Sequence, residues 1–524
     1  MRGILAILCQ QTYPSQTEIN HAMSVLAPRG PDQSGILYLA NAVIGHTRLA
    51  ITNPKSGTQP IRDGEWVLTV NGEIYNSGSI SAGGTDCDSI IPLLKTHPYE
   101  HTFNRINGQF AFAAYNKSTD TLIITRDRSG ISPLYVATDS SYRKWVSSLI
   151  DVFPNGSKVR AVVPGTIEIY KSGQFFRLLN FVEKYPRLAI HFDHYLNLPT
   201  LRNALTTSVQ RRLPTDVPFA CLLSGGLDST IIACIAKSLG CHLHTFCIGL
   251  DGSPDLAAAQ RVANFLGSSH HSIVYTVDEG IAQIPNVIKA IETYDQTTVR
   301  ASTPNYMLAK IIRRYGFKVV LSGEGADELF AGYLYNKFAP NPNELQEECV
   351  DKYERLYAFD CLRANKSCLS NSVEVRVPFL DNDVVNLALR QIHPTHKMSS
   401  DTIPEKSILR EAFKNILPEF IYNRQKAQFS DAVGKEWIQS LQKHAMKMTG
   451  ITNPGIAERT MYKEIFDMHF ERLHAQEAVK TEDISIACST DRAMKWHEAF
   501  LHNADPSGDA VARATTYTLK EEEV

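Results

Sequence analysis

The stretch Leu222-Leu223-Ser224-Gly225-Gly226-Leu227-Asp228-Ser229-Thr230 constrains this chain more than any other. The apolar run from Val217 to Leu223 reads as a buried strand, and the apolar-periodic run from Thr230 to Leu239 reads as a helix. A strand, a glycine turn and a helix start together make an anion site. Gly225 and Gly226 carry no Cβ, so their N–H groups can approach a ligand, and the helix adds unpaired N–H groups and the positive end of its dipole. Ser224, Ser229 and Thr230 are expected to supply hydroxyl donors. This is not a G-x-x-x-x-G-K-S/T loop, because the lysine is missing and the glycines are adjacent.

From Val217 onward, strand and helix alternate. The pattern predicts strands at His244 to Ile248, near Ile273 and at Lys318 to Leu321. Helices are expected at Leu256 to Leu266, Ile281 to Thr293 and Tyr306 to Tyr315, with a mostly helical part from Tyr335 to about Phe500. Such alternation predicts an α/β parallel sheet, with ligands at the carboxyl ends of its strands. Asp505 to Val524, ending Glu521, Glu522, Glu523, has tail composition. The earlier part reads differently. Short strands at Ile4 to Leu8, Ala42 to His46, Trp66 to Val70, Phe110 to Tyr115, Thr121 to Thr125 and Thr166 to Tyr170, with helices at Ile19 to Leu26 and Asp88 to Leu94, predict an α+β layered sandwich. At 524 residues the chain is too long for one ordinary core. Two domains, 1–190 and 191–524, are expected, joined by a linker from Tyr185 to about Pro199 and followed by a helix from Leu201 to Leu213.

Lys+Arg 53 against Asp+Glu 55 leaves no basic field, which argues against nucleic acid as a partner. No run approaches the length of a membrane span, and no leader is evident. The ten cysteines are scattered without C-x-x-C pairs, which suits neither a zinc framework nor a disulfide scaffold and fits a cytoplasmic setting. Small molecules are therefore the expected partners, and a homodimer is the assembly considered.

Three further stretches bear on the loop. Ser322-Gly323-Glu324-Gly325-Ala326-Asp327-Glu328 follows a strand end and joins glycines to carboxylates. Asp327 with Asp228 could hold Mg²⁺ on pyrophosphate oxygens, leaving Glu324 free for proton transfer. His270-His271 invites a metal reading, but adjacent residues on a strand face opposite ways, so a structural role is expected. In Arg424-Gln425-Lys426-Ala427-Gln428-Phe429-Ser430-Asp431, Lys426 could place a charge on phosphate.

The loop resembles the S-G-G-x-D-S/T pyrophosphate loop of ligases that split ATP to AMP and pyrophosphate, and the whole chain resembles asparagine synthetases of the glutamine-dependent type. The motifs run in order through Arg29-Gly30-Pro31-Asp32, His46-Thr47-Arg48-Leu49-Ala50, Asn71-Gly72-Glu73-Ile74-Tyr75-Asn76, Thr85-Asp86-Cys87-Asp88, Ser322 to Tyr333, Asp360 to Lys366 and Arg424 to Asp431. The resemblance implies that aspartate attacks the α-phosphorus of ATP to give β-aspartyl-AMP, which ammonia then converts to asparagine. It implies that Ser224, Gly225, Gly226, Asp228 and Ser229 hold pyrophosphate, and that Leu223, Ile248, Ser322 and Gly323 line the nucleotide pocket. Glu324 would be the base and Lys426 would steady phosphate charge. In the first domain Arg48 would hold the glutamine carboxylate, Asn71 and Gly72 would form the oxyanion hole, and Glu73 and Asp86 would grip the amino end. The nucleophile is absent. The chain begins Met1-Arg2-Gly3-Ile4 where the family reads Met-Cys-Gly-Ile, and an arginine is no nucleophile at neutral pH. The expectation is ammonia dependence, or an engineered replacement at Arg2. The alternative considered is a β-lactam synthetase, which also lacks the terminal cysteine but closes a ring with an internal amine; Asn71-Gly72-Glu73, Glu324 and Lys426 favour asparagine.

Overall fold

Strands buried along their length, as in Arg2–Leu8, Ala42–Arg48 and Trp66–Ile74, build the first half of the chain into two mainly antiparallel sheets. The computed structural model describes residues 2–9, 12–81, 84–192, 197–424, 435–481 and 490–500. One sheet has the strand order His474–Glu477, Lys158–Ala161, Tyr135–Thr138, Lys144–Ser147, Arg2–Leu8, Ala42–Arg48, Gln33–Leu39. The other runs Gln174–Asn180, Thr166–Lys171, Thr121–Arg126, Gly108–Asn116, Trp66–Ile74, Ile61–Asp63. Ile4, Ala6 and Leu8 pack between the sheets against Ala111, Ala113 and Ile124, whereas Leu5 and Ile7 point outward into a core shared with Ile19, Ala22 and Leu26 of the helix Gln16–Leu26. The far face of the second sheet is covered by Ile90, Leu94 and Phe103. This is the layered α+β sandwich that the sequence predicts.

Differences from the expected elements have local causes. The helix begins at Gln16 rather than Ile19 because Ser15 and Glu18 form a capping box, each side chain taking the other's backbone N–H. The strands Gln33–Leu39, Tyr135–Thr138, Lys144–Ser147, Lys158–Ala161 and Gln174–Asn180 went unpredicted; they are short or lie at or near sheet edges, where the apolar alternation fades. His474–Glu477, from late in the chain, pairs in parallel with Lys158–Ala161 and so completes a sheet of the first half.

The second half carries a parallel sheet in the order Ser269–Val274, His244–Gly249, Phe219–Leu222, Val319–Leu321, Glu374–Arg376. The α/β parallel arrangement is as expected, but its fifth strand, Glu374–Arg376, went unpredicted. Two of its three residues are charged, and both are buried because Arg376 Nε donates to Glu374 at 2.7 Å. The helix expected from Tyr306 starts at Gln296, capped by Asp295, and runs through Pro304 to Arg314. His270 and His271 separate as adjacent strand residues must: His271 stacks on Phe246 at 4.5 Å, and His270 shares a hydrogen bond with Thr245. Among the described residues, no helix is long and apolar enough to cross a membrane.

One buried ion pair fixes the later helices against this sheet domain. Arg300 donates to both carboxylate oxygens of Glu458 at 2.7 and 2.6 Å, and Gln296 and Tyr462 complete the carboxylate's partners. Both side chains are buried. Arg300→Leu should therefore lower the unfolding free energy by about 3–5 kcal/mol, since it strands an uncompensated charge. A urea titration of the two chains measures this, and an unchanged midpoint would refute it.

Candidate active site

The glycine loop leaves Phe219–Leu222 at the carboxyl edge of the parallel sheet and enters the helix Leu227–Ser238, three residues earlier than expected, with Gly226 as its cap. Gly225 has φ +70°, and a Cβ there would lie 2.6 Å from the backbone at Ala258 and Ala259. Both the left-handed backbone and the close approach require glycine. Its carbonyl accepts from Arg424, which also donates to Asp255 at 2.9 Å, tying the loop to the helix Pro254–Leu266. Thr230 differs from expectation: its hydroxyl donates to the Gly226 carbonyl at 2.7 Å and is buried, so it is not offered to a ligand. Ser224 and Ser229, with hydroxyl oxygens 3.2 Å apart, do face the site.

A cavity of about 210 Å³ opens over this loop. Leu223, Ser224, Gly226, Asp228, Ser229, Ile248, Ser322 and Gly323 all line it, as do Glu324 and Asp327; Gly225 supports the loop from behind. Gly323 is required by proximity, because a Cβ would sit 2.9 Å from that of Asp228.

The acids are arranged differently from the expectation. Glu324 is not free: Arg363 donates to its two carboxylate oxygens at 2.8 and 2.7 Å, and Asp360 lies 3.0 Å from the same guanidinium. Burial raises the Glu324 carboxyl above its ordinary range, with Arg363 opposing and Asp360 adding to the rise. Glu328, beside it, is pushed up to about 8 by burial and by the charges of Asp360 and Asp327. Lys406 went unnoticed in the sequence. Its ammonium lies 2.5 Å from Asp228 and 2.5 Å from Asp327, between the two carboxylates expected to meet a metal. Gly332 makes room for it, since a Cβ there would fall 1.9 Å from Lys406 Cε. Chemically the pair still suits a hard cation that takes its remaining ligands from phosphate and water: Asp228 keeps a buried oxygen with no hydrogen bond. Lys426 lies outside the described residues.

The second predicted constellation is also assembled. Arg48 donates to Gln33 at 2.8 Å and to the carbonyls of Thr52 and Asn53 at 3.1 and 2.9 Å. Glu73 accepts from Thr52 at 3.0 Å, and Asp86 accepts the Ile74 N–H at 2.8 Å. Gly72, at φ +156°, passes so close to Gln109 that a Cβ would meet its carbonyl at 2.1 Å. Burial, and then the charge of Asp86, lifts the Glu73 carboxyl to about 7. Arg2 stands inside the group. Its backbone N–H donates to Asn71 Oδ1 at 2.6 Å, and its guanidinium donates to Cys87 Sγ at 3.0 Å. The sequence marked Arg2 as a missing nucleophile; its position as an occupant is a finding of the structure.

Two family models match this chain: asparagine synthase over residues 200–344 and 337–498, and a glutamine amidotransferase domain over residues 1–163. Asparagine synthetase B [glutamine-hydrolyzing] of Escherichia coli (strain K12) is 41% identical over 528 residues, covering 92% of this chain and 93% of that protein. Asparagine synthetase [glutamine-hydrolyzing] 3 of Arabidopsis thaliana is 40% identical over 554 residues, covering 97% and 94%. The rice protein named asparagine synthetase [glutamine-hydrolyzing] 2 (Oryza sativa subsp. japonica) is 40% identical, covering 97% and 92%.

Proposed function

Since this chain belongs to the asparagine synthase family and carries a glutamine amidotransferase domain ahead of its synthase domain, we propose a division of labour among its residues. The activity is ATP-dependent synthesis of asparagine, and the β-lactam-forming alternative is not favoured. The observation that carries the residue assignment is the convergence, in one cavity at the carboxyl edge of the parallel sheet, of the Ser224–Ser229 loop with Glu324, Asp228, Asp327 and Lys406.

The loop's N–H groups and the hydroxyls of Ser224 and Ser229 hold the leaving pyrophosphate, whose charge grows as aspartate attacks the α-phosphorus. Leu223 and Ile248 face the nucleotide from the apolar side, with Ser322 and Gly323 at its edge. Lys406 keeps Asp228 and Asp327 from repelling the phosphates. Mg²⁺ would be held by the same two carboxylates, where it would neutralise phosphate charge. Lys426 is assigned to phosphate as well, on the sequence resemblance. Arg363 orients Glu324, which takes the proton from the attacking ammonia, and acyl transfer then releases AMP.

Residues 1–190 form the amidotransferase part and 191–524 the synthetase part. The described cysteines are all free thiols, which supports a reducing, cytoplasmic setting. Arg2 can supply neither a thiolate nor a proton-accepting group, so the nitrogen comes from free ammonia. With aspartate and ATP, ammonium should support asparagine formation and glutamine should not, as read by amino-acid analysis. Glutamate released from glutamine by this chain would overturn the ammonia assignment, and no asparagine from any nitrogen source would overturn the whole reading.

A further inference from the structure

The Arg2 side chain is 1% exposed, yet the pocket around it is badly satisfied. Asn71 Nδ2, Glu73 Oε1, Asp86 Oδ1, Arg48 Nε and Arg2 Nε are all buried without a hydrogen-bond partner. Buried polar atoms are rarely orphaned, and orphans on four residues that neighbour Arg2 mark a place shaped for a polar ligand rather than for the side chain now in it. The chemistry of the orphans is specific. Two carboxylates suit an amine, and the Asn71 amide with the Arg48 guanidinium offers N–H donors to carbonyl or carboxylate oxygens. Together they match an α-amino acid that carries a side-chain amide.

A guanidinium placed there meets the acids' need for a positive charge but cannot use the remaining groups. Arg2 opens the strand Arg2–Leu8, paired opposite Arg48, and its backbone N–H is fixed to Asn71. The strand thus delivers the side chain into the pocket whenever the sheet is formed. Arg376 of the parallel sheet stands 3.5 Å from Glu73 but is itself held by Glu374 at 2.7 Å, so it does not satisfy the Glu73 and Asp86 carboxylates.

We propose that Arg2 is a built-in occupant of this pocket: the chain keeps its amino-acid site closed with its own guanidinium, so that glutamine is excluded from binding and not merely spared from hydrolysis. Deleting the side chain reopens the site. The inference rests on the preceding reading only for the choice of glutamine as probe.

The test uses the full chain and Arg2→Ala, each mixed with radiolabelled L-glutamine in equilibrium dialysis. The parent should retain none at millimolar concentration, whereas Arg2→Ala should bind at least about tenfold better, as a vacated cavity takes up matching ligands. Ethylguanidinium, which replaces the deleted atoms, should displace the glutamine; N-ethylurea, of the same shape and no charge, should not. Asparagine formation from ammonium by Arg2→Ala shows that the variant is folded. Because a failed variant would leave the parent's own result standing, the parent decides: glutamine bound by the parent overturns the plug, as does failure of ethylguanidinium to compete in a folded variant. Glutamine bound by the parent without glutamate release leaves the ammonia assignment intact; glutamate release defeats both.

Discussion

Glu324→Gln is expected to lower ammonia-dependent asparagine formation by about 10²–10⁴-fold, the range over which a positioned general base acts. Glutamine keeps the length and one hydrogen bond to Arg363, so the cavity wall survives while the proton acceptor is lost. Activation of aspartate needs no base, because a carboxylate attacks phosphorus as it stands. Aspartate-dependent exchange of labelled pyrophosphate into ATP should accordingly persist within a few-fold. The two assays separate the assignments: amidation at the parent rate would remove Glu324 from the chemistry, and loss of both half-reactions would make it a structural member of the nucleotide pocket. The pH dependence adds a second reading. Burial raises the Glu324 carboxyl, so its base form is lost at a higher pH than for an exposed glutamate, and amidation at constant free ammonia should fall on the acid side earlier than solution chemistry predicts. In Glu324→Gln that acid limb disappears.

Lys406→Met should depress both half-reactions together, by about 10²–10³-fold, the scale seen when one charge-stabilising group is removed from a preorganised site. The ammonium lies 2.5 Å from both Asp228 and Asp327, with its side chain 1% exposed. Without it two carboxylates face the incoming triphosphate across a partly buried cavity. The backbone of Lys406 is itself held in the left-handed region at φ +56°, which aims the side chain inward. Gly332→Ala is expected to behave similarly, because the added methyl group would occupy the space of Lys406 Cε. Pyrophosphate exchange and ammonia-dependent synthesis measure the effect. A Lys406→Met chain with normal exchange would show that the acids need no cation from the protein.

How much of this was legible depended on whether a residue's role was local. The loop from Ser224 to Ser229 and the acids at Glu324 and Asp327 declared themselves, because glycine and charge gathered at strand ends have few other uses. The layered sandwich showed in short apolar runs such as Ile4 to Leu8, set off by turn residues. Lys406 left no such trace, and Arg363 stood within the Asp360 to Lys366 motif with no role attached to it. Lys406 reaches Asp228 from 178 residues away, and nothing in Pro404-Glu405-Lys406-Ser407 signals that contact. The strand Glu374–Arg376 fell inside the part expected to be mostly helical, because its burial depends on a charge pair that a hydropathy pattern counts as solvent-exposed. Arg2 was readable as an absent thiol, while the pocket that takes its guanidinium is assembled from Asn71, Glu73 and Cys87, which only folding brings together.

The parallel pairing of His474–Glu477 with Lys158–Ala161 changes what a domain boundary means in this molecule. Arg472 reinforces the pairing by donating to Asp151 and to the carbonyl of Phe153. The polypeptide is therefore wired as a loop closed on itself: it leaves the sandwich, builds the parallel sheet and helices, and returns to lend the sandwich an edge. A cut in the connection before Leu198 would nick the molecule without releasing two pieces. An amidotransferase half expressed alone would carry a bare strand edge at Lys158–Ala161, the kind of surface that recruits other chains. The amidotransferase and synthase parts are thus held as one object, and each half serves as a mechanical part of the other whatever chemistry it carries.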